Sequence, residues 1–344
     1  MKRILLGGLL LAALSGALPL VCFLLPRTPQ SAVQETPPSQ DIQATAPPQS
    51  TPEPAVPSTD YLEPLLIWDG DAQLVRTVEV LDYLIGAAAS EMPADWPAQA
   101  IQAQMVASHS WALYCRDHRD GSNGGAYFTA SPQRREGYMT PEVMQAYWGD
   151  AYEENYNYFS RLAQEVLDWV VTYEGAPAGT FYHAISTGAT TDSGQVWSVS
   201  LPYLCGVDSP WDTSAPDFQV EVSLGAQRVS DCLSSSFGIW PEGEPSQWLG
   251  EQTFDGAGYC TSIQVEGQTL SGISFRTALG LRSTAFSYTY DPSCGEFTFT
   301  TRGYGHGVGM SQWGARALAL EGKSWQEILA HYFPGTQLTQ AQGE

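Results

Sequence analysis

The chain has 344 residues, 43% of them hydrophobic, which is enough for one large domain or two smaller ones. Its 37 Asp and Glu residues outnumber its 15 Lys and Arg residues, and the formal net charge is −22. Because so acidic a surface repels polyanions, we exclude functions that depend on nonspecific binding to nucleic acid or to an anionic membrane surface.

The first 25 residues contain a long apolar segment. Lys2 and Arg3 precede an uncharged stretch, residues 4–25, that is just long enough as a helix to cross a bilayer. A cleaved secretory signal is the alternative, but no small-residue cleavage site follows, and the run is longer than a usual signal core. We therefore expect a retained transmembrane anchor, with its basic end in the cytoplasm and the rest of the chain outside.

Residues 26–60 are rich in Pro, Gln, Ser and Thr and contain almost no large apolar side chains. Such a segment cannot bury enough surface to offset the entropy lost on ordering. The sequence therefore predicts a disordered, extended linker between the anchor and a folded body at residues 61–340.

The folded body opens with a predicted hairpin, residues 65–68 and 74–78, around the turn Asp69-Gly70-Asp71. A short helix is predicted for residues 81–89. Apolar side chains recur at helical spacing over residues 97–116, which predicts a long helix with Pro97 in its first turn.

The remainder of the body mixes helical and β-like patterns. A helical region is predicted for residues 141–167 and a strand for 169–173, while residues 176–300 are rich in Gly, Ser and Thr with short β-like runs. A helix is predicted to begin near Ser311 and break at Gly322, and Ser324 then caps a final helix. The fold class is therefore α+β. We expect a single large body with two lobes around a substrate cleft.

Six cysteines are present: Cys22, Cys115, Cys205, Cys232, Cys260 and Cys294. The five outside the apolar N-terminal stretch cannot all pair within one chain. No CxxC or Cys/His zinc spacing occurs. A Cys232–Cys260 disulfide is one hypothesis, and reduced, buried thiols are the alternative.

Glu91 is the first candidate for chemistry. It is followed by Met92, Pro93 and Trp96, just before the long helix. Apolar surroundings raise the pKa of a carboxyl group by desolvation, which keeps it protonated and able to donate a proton. The alternative is an ordinary surface glutamate in a loop.

Two later segments also have unusual composition. In residues 180–193, a β-like run leads into hydroxyl side chains around Gly188, which suit hydrogen bonding to a sugar but also suit an ordinary Ser/Thr loop. In residues 303–315, four alternating glycines surround His306 and allow close approach by a ligand or by another chain segment. These glycines do not form a phosphate loop, because no Lys follows and the spacing is wrong.

In this order, the segments resemble the stage II sporulation protein D (SpoIID) family over residues 81–338. The resemblance rests on four motifs: EMPADWPAQAIQAQMVAS, FYHAISTGATTDSGQVW with PYLCGVDSPWD, FRTALGLRST and GYGHGVGMSQWGARALALEGKSWQEILAHYFPGTQL. It implies a membrane-anchored lytic transglycosylase of endospore-forming bacteria.

Carried over residue by residue, the resemblance makes Glu91 the catalytic carboxylate. The other residues that it places in the cleft are Ser186, Thr187, Gly188, Asp192, Ser193, His306, Ser311 and Gln312, with Arg282 as a further cleft or structural residue. The sequence departs from the family at residues 108–111, where Ser-His-Ser-Trp replaces the usual Ala-Arg-Thr-Tyr, and at Ala189, which replaces a glycine. Only Cys115 and His118 stand where some relatives carry a metal cluster, so no metal site and no cofactor are expected.

The resemblance implies cleavage of the MurNAc–GlcNAc bond of peptidoglycan to leave 1,6-anhydro-MurNAc ends, on peptide-free strands. The cell membrane that engulfs the forespore is the implied location, with an amidase and a membrane organiser as partners. Three alternatives stay open. They are a hydrolytic muramidase with Asp192 or Asp95 as a second carboxylate, a noncatalytic wall-binding or amidase-enhancing protein, and a scaffold in a membrane complex.

Overall fold

A computed structural model describes residues 61–119, 121, 123–197 and 199–341. The predicted anchor (residues 4–25) and linker (residues 26–60) lie outside the described residues. Within these described ranges, no helix has both the length and the hydrophobicity that crossing a membrane requires.

Helices and strands are interspersed along the described chain, which confirms the α+β class. The helices are Val80–Glu91 (α1), Ala98–Asp117 (α2), Pro141–Trp148 (α3), Tyr152–Val166 (α4), Ser193–Val196 (α5), Ala226–Phe237 (α6), Gly272–Leu279 (α7), Gln312–Leu320 (α8) and Trp325–Tyr332 (α9). The strands are Leu65–Asp69 (β1), Leu74–Val78 (β2), Phe128–Ala130 (β3), Trp169–Tyr173 (β4), Ala176–Pro177 (β5), Tyr182–His183 (β6), Gln219–Gly225 (β7), Leu249–Phe254 (β8), Cys260–Val265 (β9), Gln268–Ser271 (β10), Phe286–Asp291 (β11), Glu296–Arg302 (β12), Met310–Ser311 (β13) and Gln337–Gln340 (β14).

The predicted hairpin is confirmed, because β1 and β2 pair antiparallel with Leu65 opposite Val78. The Asp69 side chain stabilises the turn by accepting hydrogen bonds from the backbone N–H groups of Asp71 and Ala72, at 2.9 and 2.8 Å. Arg76 pairs with the same carboxylate at 2.6 Å. The strand predicted for residues 169–173 is also confirmed as β4.

The larger hydrophobic core surrounds α2. Helices α1, α4, α8 and α9 and strand β4 all contact it. Because neighbours cover α2 on several sides, even polar side chains such as Gln104 and Ser108 are fully buried on it. These buried amide and hydroxyl groups need hydrogen-bond partners inside the protein, and this requirement shapes the candidate site described below.

A second hydrophobic core lies within residues 229–299. Strands β7, β12 and β11 form one sheet, strands β8, β9 and β10 form another, and α6 and α7 pack with them. Phe275, Phe286 and Phe299 form the aromatic centre of this core, with ring centroids 5.3–6.3 Å apart. The chain then returns to the first core through residues 303–311. The arrangement of two lobes around a cleft stays a prediction.

Two stretches of the chain differ from the sequence predictions. The helical region predicted for residues 141–167 is two helices, α3 and α4, because Gly149 at the α3 C-cap has a positive φ of 55°. The region 176–300, predicted to hold short β-like runs, also contains α5, α6 and α7. The Ser content of α6 obscured a helical face formed by Val229, Cys232 and Leu233.

The hypothesis of a Cys232–Cys260 disulfide was wrong. Both thiols are free and buried in the second core, Cys232 on α6 and Cys260 on β9. The Cys260 Sγ donates a hydrogen bond to the carbonyl oxygen of Ser262 at 3.1 Å. The alternative of reduced, buried thiols therefore describes this pair.

Candidate active site

Glu91 is the last residue of α1. The predicted helix stopped at residue 89, so the structure moves this glutamate from a loop to a helix end. Its side chain is partly buried, and its Oε2 accepts a hydrogen bond of 3.0 Å from the Nε2 of Gln312, the first residue of α8. A carboxyl group on one core helix is thereby held by an amide 221 positions later in the chain.

The surroundings of Glu91 favour its protonated form. Desolvation by burial raises its pKa from 4.5 to about 7, although the Gln312 hydrogen bond acts in the opposite direction because it stabilises the carboxylate. The position in the last turn of α1 adds to the effect of burial, since the negative end of a helix dipole disfavours a second negative charge. Near neutral pH, Glu91 can therefore both donate and accept a proton.

A network of buried polar side chains extends from Glu91 into the first core. Gln312 Nε2 also lies 3.3 Å from Gln104 Oε1, and Gln104 Nε2 donates to Ser108 Oγ at 3.1 Å. The hydroxyl of Tyr182 hydrogen bonds to the side chains of Ser108 and Gln104, and its pKa is raised by burial and then by the nearby Glu91 carboxylate. The network gives Gln104 and Ser108 hydrogen-bond partners inside the core and fixes the orientation of Gln312.

The sequence did not assign Gln104, Ser108 or Tyr182 to the site. One signal for the first two was available in the sequence. Gln104 and Ser108 are polar residues four positions apart, on a helix whose other residues at this spacing are mostly apolar.

Asp212 hydrogen bonds to two of the segments that the sequence singled out, residues 180–193 and residues 303–315. Its Oδ2 accepts from the backbone N–H of Ser186 at 2.9 Å, and the hydroxyls of Ser186, Ser311 and Ser209 also stabilise its carboxylate. Burial is nevertheless the largest influence and raises the pKa of Asp212 above its usual value. Ser311 in turn caps α8 by accepting from the N–H of Gly314 at 3.2 Å. Asp212 therefore links the hydroxyl segment to the helix that begins with Gln312.

Thr187 and Gly188 lie in a tight turn. The N–H of Thr187 donates to Tyr259 Oη at 3.1 Å, and its hydroxyl donates to the carbonyl of Ala257 at 2.8 Å. Gly188 has a positive φ of 109°, which favours glycine, and its N–H donates to Ser186 Oγ at 3.1 Å. Contact of Thr187 and Gly188 with a substrate stays a prediction.

Asp192 is the N-cap residue of the short helix α5, and Ser193 is the first residue of that helix. The exposed Asp192 accepts from the N–H of Gly206 at 3.1 Å. The Ser193 hydroxyl is buried and accepts from the N–H of Leu201 at 2.9 Å. Both side chains stabilise the local backbone. Neither hydrogen bonds to Glu91 or Gln312, and their contact with a substrate stays a prediction.

His306 is buried against backbone groups. Its Nδ1 accepts from the N–H of Val308 at 3.1 Å, and the backbone of Tyr182 is its other partner. Burial lowers the pKa of His306 to about 3, helped by the charge of Arg276, so the ring is neutral at neutral pH. These contacts orient the glycine-rich segment, and a role for His306 at the substrate stays a prediction.

The glycines beside His306 allow two chain segments to pack closely. A Cβ at any of the four positions would overlap atoms of the segment 181–186 or of the Tyr259 ring; the positions are Gly303, Gly305, Gly307 and Gly309. Of the two partners that the sequence allowed, a ligand or another chain segment, the structure shows the second. The close packing places Met310 and Ser311 beside Tyr182 and His183 as a parallel strand pair.

Arg282 lies beside the same segment. Its guanidinium Cζ is 4.4 Å from the ring centroid of Tyr304, and its carbonyl oxygen accepts from Gly305 N at 2.9 Å. Its role as a cleft residue stays a prediction. In the described part of the chain, no three His, Cys, Asp or Glu side chains are grouped so that they could share a metal ion.

Gln312→Leu should test whether Gln312 tunes Glu91. The hydrogen bond from Gln312 lowers the pKa of Glu91, so its loss should raise that pKa. Any activity that needs protonated Glu91 should then decline at a higher pH than in the wild-type protein. We also expect about a 10-fold lower rate, because the carboxyl group loses its orientation. Gln227→Leu, on the remote helix α6, is the matched control and should change neither quantity. If activity declines at the same pH as in the wild-type protein, or at a lower pH, Gln312 does not tune the pKa of Glu91.

Comparisons with known proteins point to one family. A family model described as Stage II sporulation protein matches residues 69–173. Stage II sporulation protein D of Bacillus subtilis (strain 168) is 30% identical over 273 residues, which cover 78% of this chain and 77% of that protein. The protein of the same name from Bacillus amyloliquefaciens is 29% identical over 269 residues, with 78% and 76% covered. An amidase enhancer of Bacillus subtilis (strain 168) is 24% identical over 314 residues, which cover 74% of this chain and 40% of that protein.

Proposed function

The chain belongs to the stage II sporulation protein D family, and on that premise we propose that it is a peptidoglycan lytic transglycosylase with Glu91 as its catalytic residue. The proposed reaction cleaves the MurNAc–GlcNAc bond and leaves 1,6-anhydro-MurNAc ends, without a cofactor. The proposed setting is the removal of peptide-free glycan during engulfment of the forespore, by a protein anchored in the cell membrane through residues 4–25.

The observation that carries this proposal is the state of Glu91. The reaction needs a group that is protonated when the glycosidic bond breaks and ionised immediately afterwards. A carboxyl group with a pKa of about 7, held by an amide donor and still partly exposed, meets this requirement. A glutamate at its usual pKa of 4.5 would be almost fully ionised at neutral pH and unable to donate.

In the first step, the protonated Glu91 donates its proton to the glycosidic oxygen as the bond from that oxygen to C1 of MurNAc breaks. The GlcNAc-terminated fragment leaves as an alcohol, and oxocarbenium-like positive charge develops on the MurNAc ring. The Gln312 amide then stabilises the carboxylate that Glu91 has become, through the 3.0 Å hydrogen bond.

In the second step, the Glu91 carboxylate accepts the proton of the 6-hydroxyl of the same MurNAc. The oxygen forms a bond to C1 and closes the anhydro ring, so no water is consumed and Glu91 regains its proton. Because the nucleophile belongs to the substrate, the reaction needs no second carboxylate at a fixed distance. Asp95 and Asp192, the candidates for such a second group, are both exposed, and neither hydrogen bonds to Glu91 or Gln312.

The pH dependence of cleavage follows from the raised pKa of Glu91. Only the protonated form starts the reaction, so the rate should be highest below pH 7 and should fall about 10-fold per pH unit above about 7. Initial rates of cleavage of peptide-free glycan, measured between pH 5 and 9, show where this decline begins. A decline that is already complete by pH 6 would indicate a carboxyl group with an ordinary pKa.

Product analysis separates this reaction from hydrolysis. Mass spectrometry of strands digested by the full-length protein should show anhydro ends, which weigh one water less than reducing ends and resist borohydride reduction. Reducing ends as the main product would instead indicate a muramidase.

A noncatalytic wall-binding or amidase-enhancing protein is the second candidate. The similarity to an amidase enhancer favours it and suggests a peptidoglycan amidase as a partner, with a membrane organiser as a further proposed partner. If this candidate is correct, purified protein will stimulate an added amidase but will generate no new glycan ends by itself.

A further inference from the structure

Three partly exposed side chains, near Glu91 or Gln312 in sequence, form a group whose arrangement suits an anionic ligand. The indole rings of Trp96 and Trp313 meet edge to face, with centroids 6.0 Å apart. The Arg316 guanidinium Cζ is 4.8 Å from the Trp313 ring centroid and 5.8 Å from that of Trp96. The aromatic pair therefore holds the arginine in place.

The group is connected to the proposed catalytic carboxyl group through residues that neighbour Glu91 and its partner Gln312 in the chain. Trp96 follows Glu91 by five residues, and Trp313 follows Gln312 directly. Arg316 is four positions after Gln312 on α8, so the two side chains lie on neighbouring turns of the same helix face. Gln312 in turn hydrogen bonds to Glu91.

Arg316 has no anionic partner in the described part of the chain. It forms no ion pair and donates no hydrogen bond there, and none of its nitrogens is buried without a partner. This is unusual in a protein where acidic residues exceed basic ones by 37 to 15. A guanidinium that stacks through its faces keeps its N–H donors free at the edge, where they can bind a carboxylate through two parallel hydrogen bonds.

We propose that Arg316, held by Trp96 and Trp313, forms a subsite for a carboxylate carried by the substrate sugar, namely the free lactyl carboxylate of N-acetylmuramic acid. This inference rests on the proposed function. In a peptide-bearing strand the lactyl group is an uncharged amide, so this subsite would favour strands from which the peptide has been removed. Arg316 is then a specificity-determining residue, while Glu91 performs the chemistry.

The test measures ligand affinity in the full-length Glu91→Gln protein, because this variant should bind glycan without cleaving it. The two ligands are a GlcNAc–MurNAc oligosaccharide with free lactyl carboxylates and the same oligosaccharide with these groups converted to carboxamides. We expect amidation to weaken binding about 10-fold, and Arg316→Gln to weaken binding of the free acid by a similar factor without affecting the amide. Added salt should weaken binding of the free acid alone.

Two further variants make the result specific. Arg316→Lys keeps the charge but loses the planar fork, and should bind the free acid with intermediate affinity. Arg161→Gln removes another arginine that stacks on a tyrosine, on the remote helix α4, and should bind both ligands as the parent protein does. The melting temperature of each variant shows whether it is folded.

Equal affinity of the parent protein for the two ligands, or no binding of either, would overturn the proposal. So would an Arg316→Gln variant that loses affinity for both ligands to the same extent, or for neither. Failure of the proposed function is a separate observation, since it appears as the absence of anhydro ends from the wild-type digest. Because burial and Gln312 set the pKa of Glu91, Arg316→Gln should also leave the pH limb of wild-type cleavage unchanged.

Discussion

Glu91→Gln should reduce glycan cleavage by about 10²–10⁴-fold while leaving the fold and strand binding intact. The amide has nearly the same shape as the carboxylic acid, but it cannot donate a proton and then take one back. A glutamine side chain fits the same partly buried position beside Gln312, so we expect the surrounding side chains to stay in place. The measurement is the yield of anhydro-terminated fragments from peptide-free glycan, together with the melting temperature.

Glu79→Gln is the matched control for this substitution. Glu79 is exposed and lies at the other end of α1, where its side chain makes no capping hydrogen bond. Its replacement should leave cleavage unchanged and lower stability by less than about 1 kcal/mol, because it removes a negative charge from the positive end of the helix dipole. Cleavage by Glu91→Gln at the wild-type rate would remove Glu91 from the mechanism and favour the noncatalytic candidate.

Gly309→Ala should destabilise the protein by about 2–4 kcal/mol. Gly309 has a φ of 71°, which costs a residue with a Cβ about 1 kcal/mol or more. The added Cβ would also overlap the carbonyl oxygen of Phe181, which accepts the Met310 N–H at 3.0 Å. Relief of this overlap must disturb the pairing of β6 with β13, at a further cost of about 1–3 kcal/mol. Urea unfolding followed by fluorescence measures the loss.

Gly322→Ala separates the two contributions. Gly322 has a similar positive φ of 88°, but an added Cβ would meet no atom within 4 Å. This control should therefore show the backbone strain alone, about 1 kcal/mol. Equal destabilisation by the two substitutions would mean that the close packing of the glycine-rich segment contributes little to stability.

Local sequence patterns were sufficient to predict most elements of the first core. The β1–β2 hairpin, the long helix α2 and the strand β4 all follow from periodicity and turn residues that lie within a few positions of one another. Helix α7 was missed because it is only eight residues long and begins with Gly272, which leaves too few positions for a helical period.

The candidate site was predictable only in part, since its main contacts join distant positions. Glu91 and Gln312 were both named from motifs, but no local pattern indicates that their side chains touch across 221 positions. Asp212 is the last residue of the motif PYLCGVDSPWD, but the sequence did not single it out as a site residue, because an aspartate after Pro-Trp resembles an ordinary turn residue and its burial depends on the packing of two other segments. His306 shows the reverse case, where a motif indicated function and the structure gives the ring backbone partners.

The protonation state of Glu91 tests the account most directly. A ¹³C NMR titration of the glutamate side-chain carboxyl carbons, compared with the spectrum of Glu91→Gln, isolates the signal of this one group. We predict that it titrates with a pKa of about 7. A Glu91 carboxyl group that is already ionised at pH 5 would contradict the proposed role as proton donor.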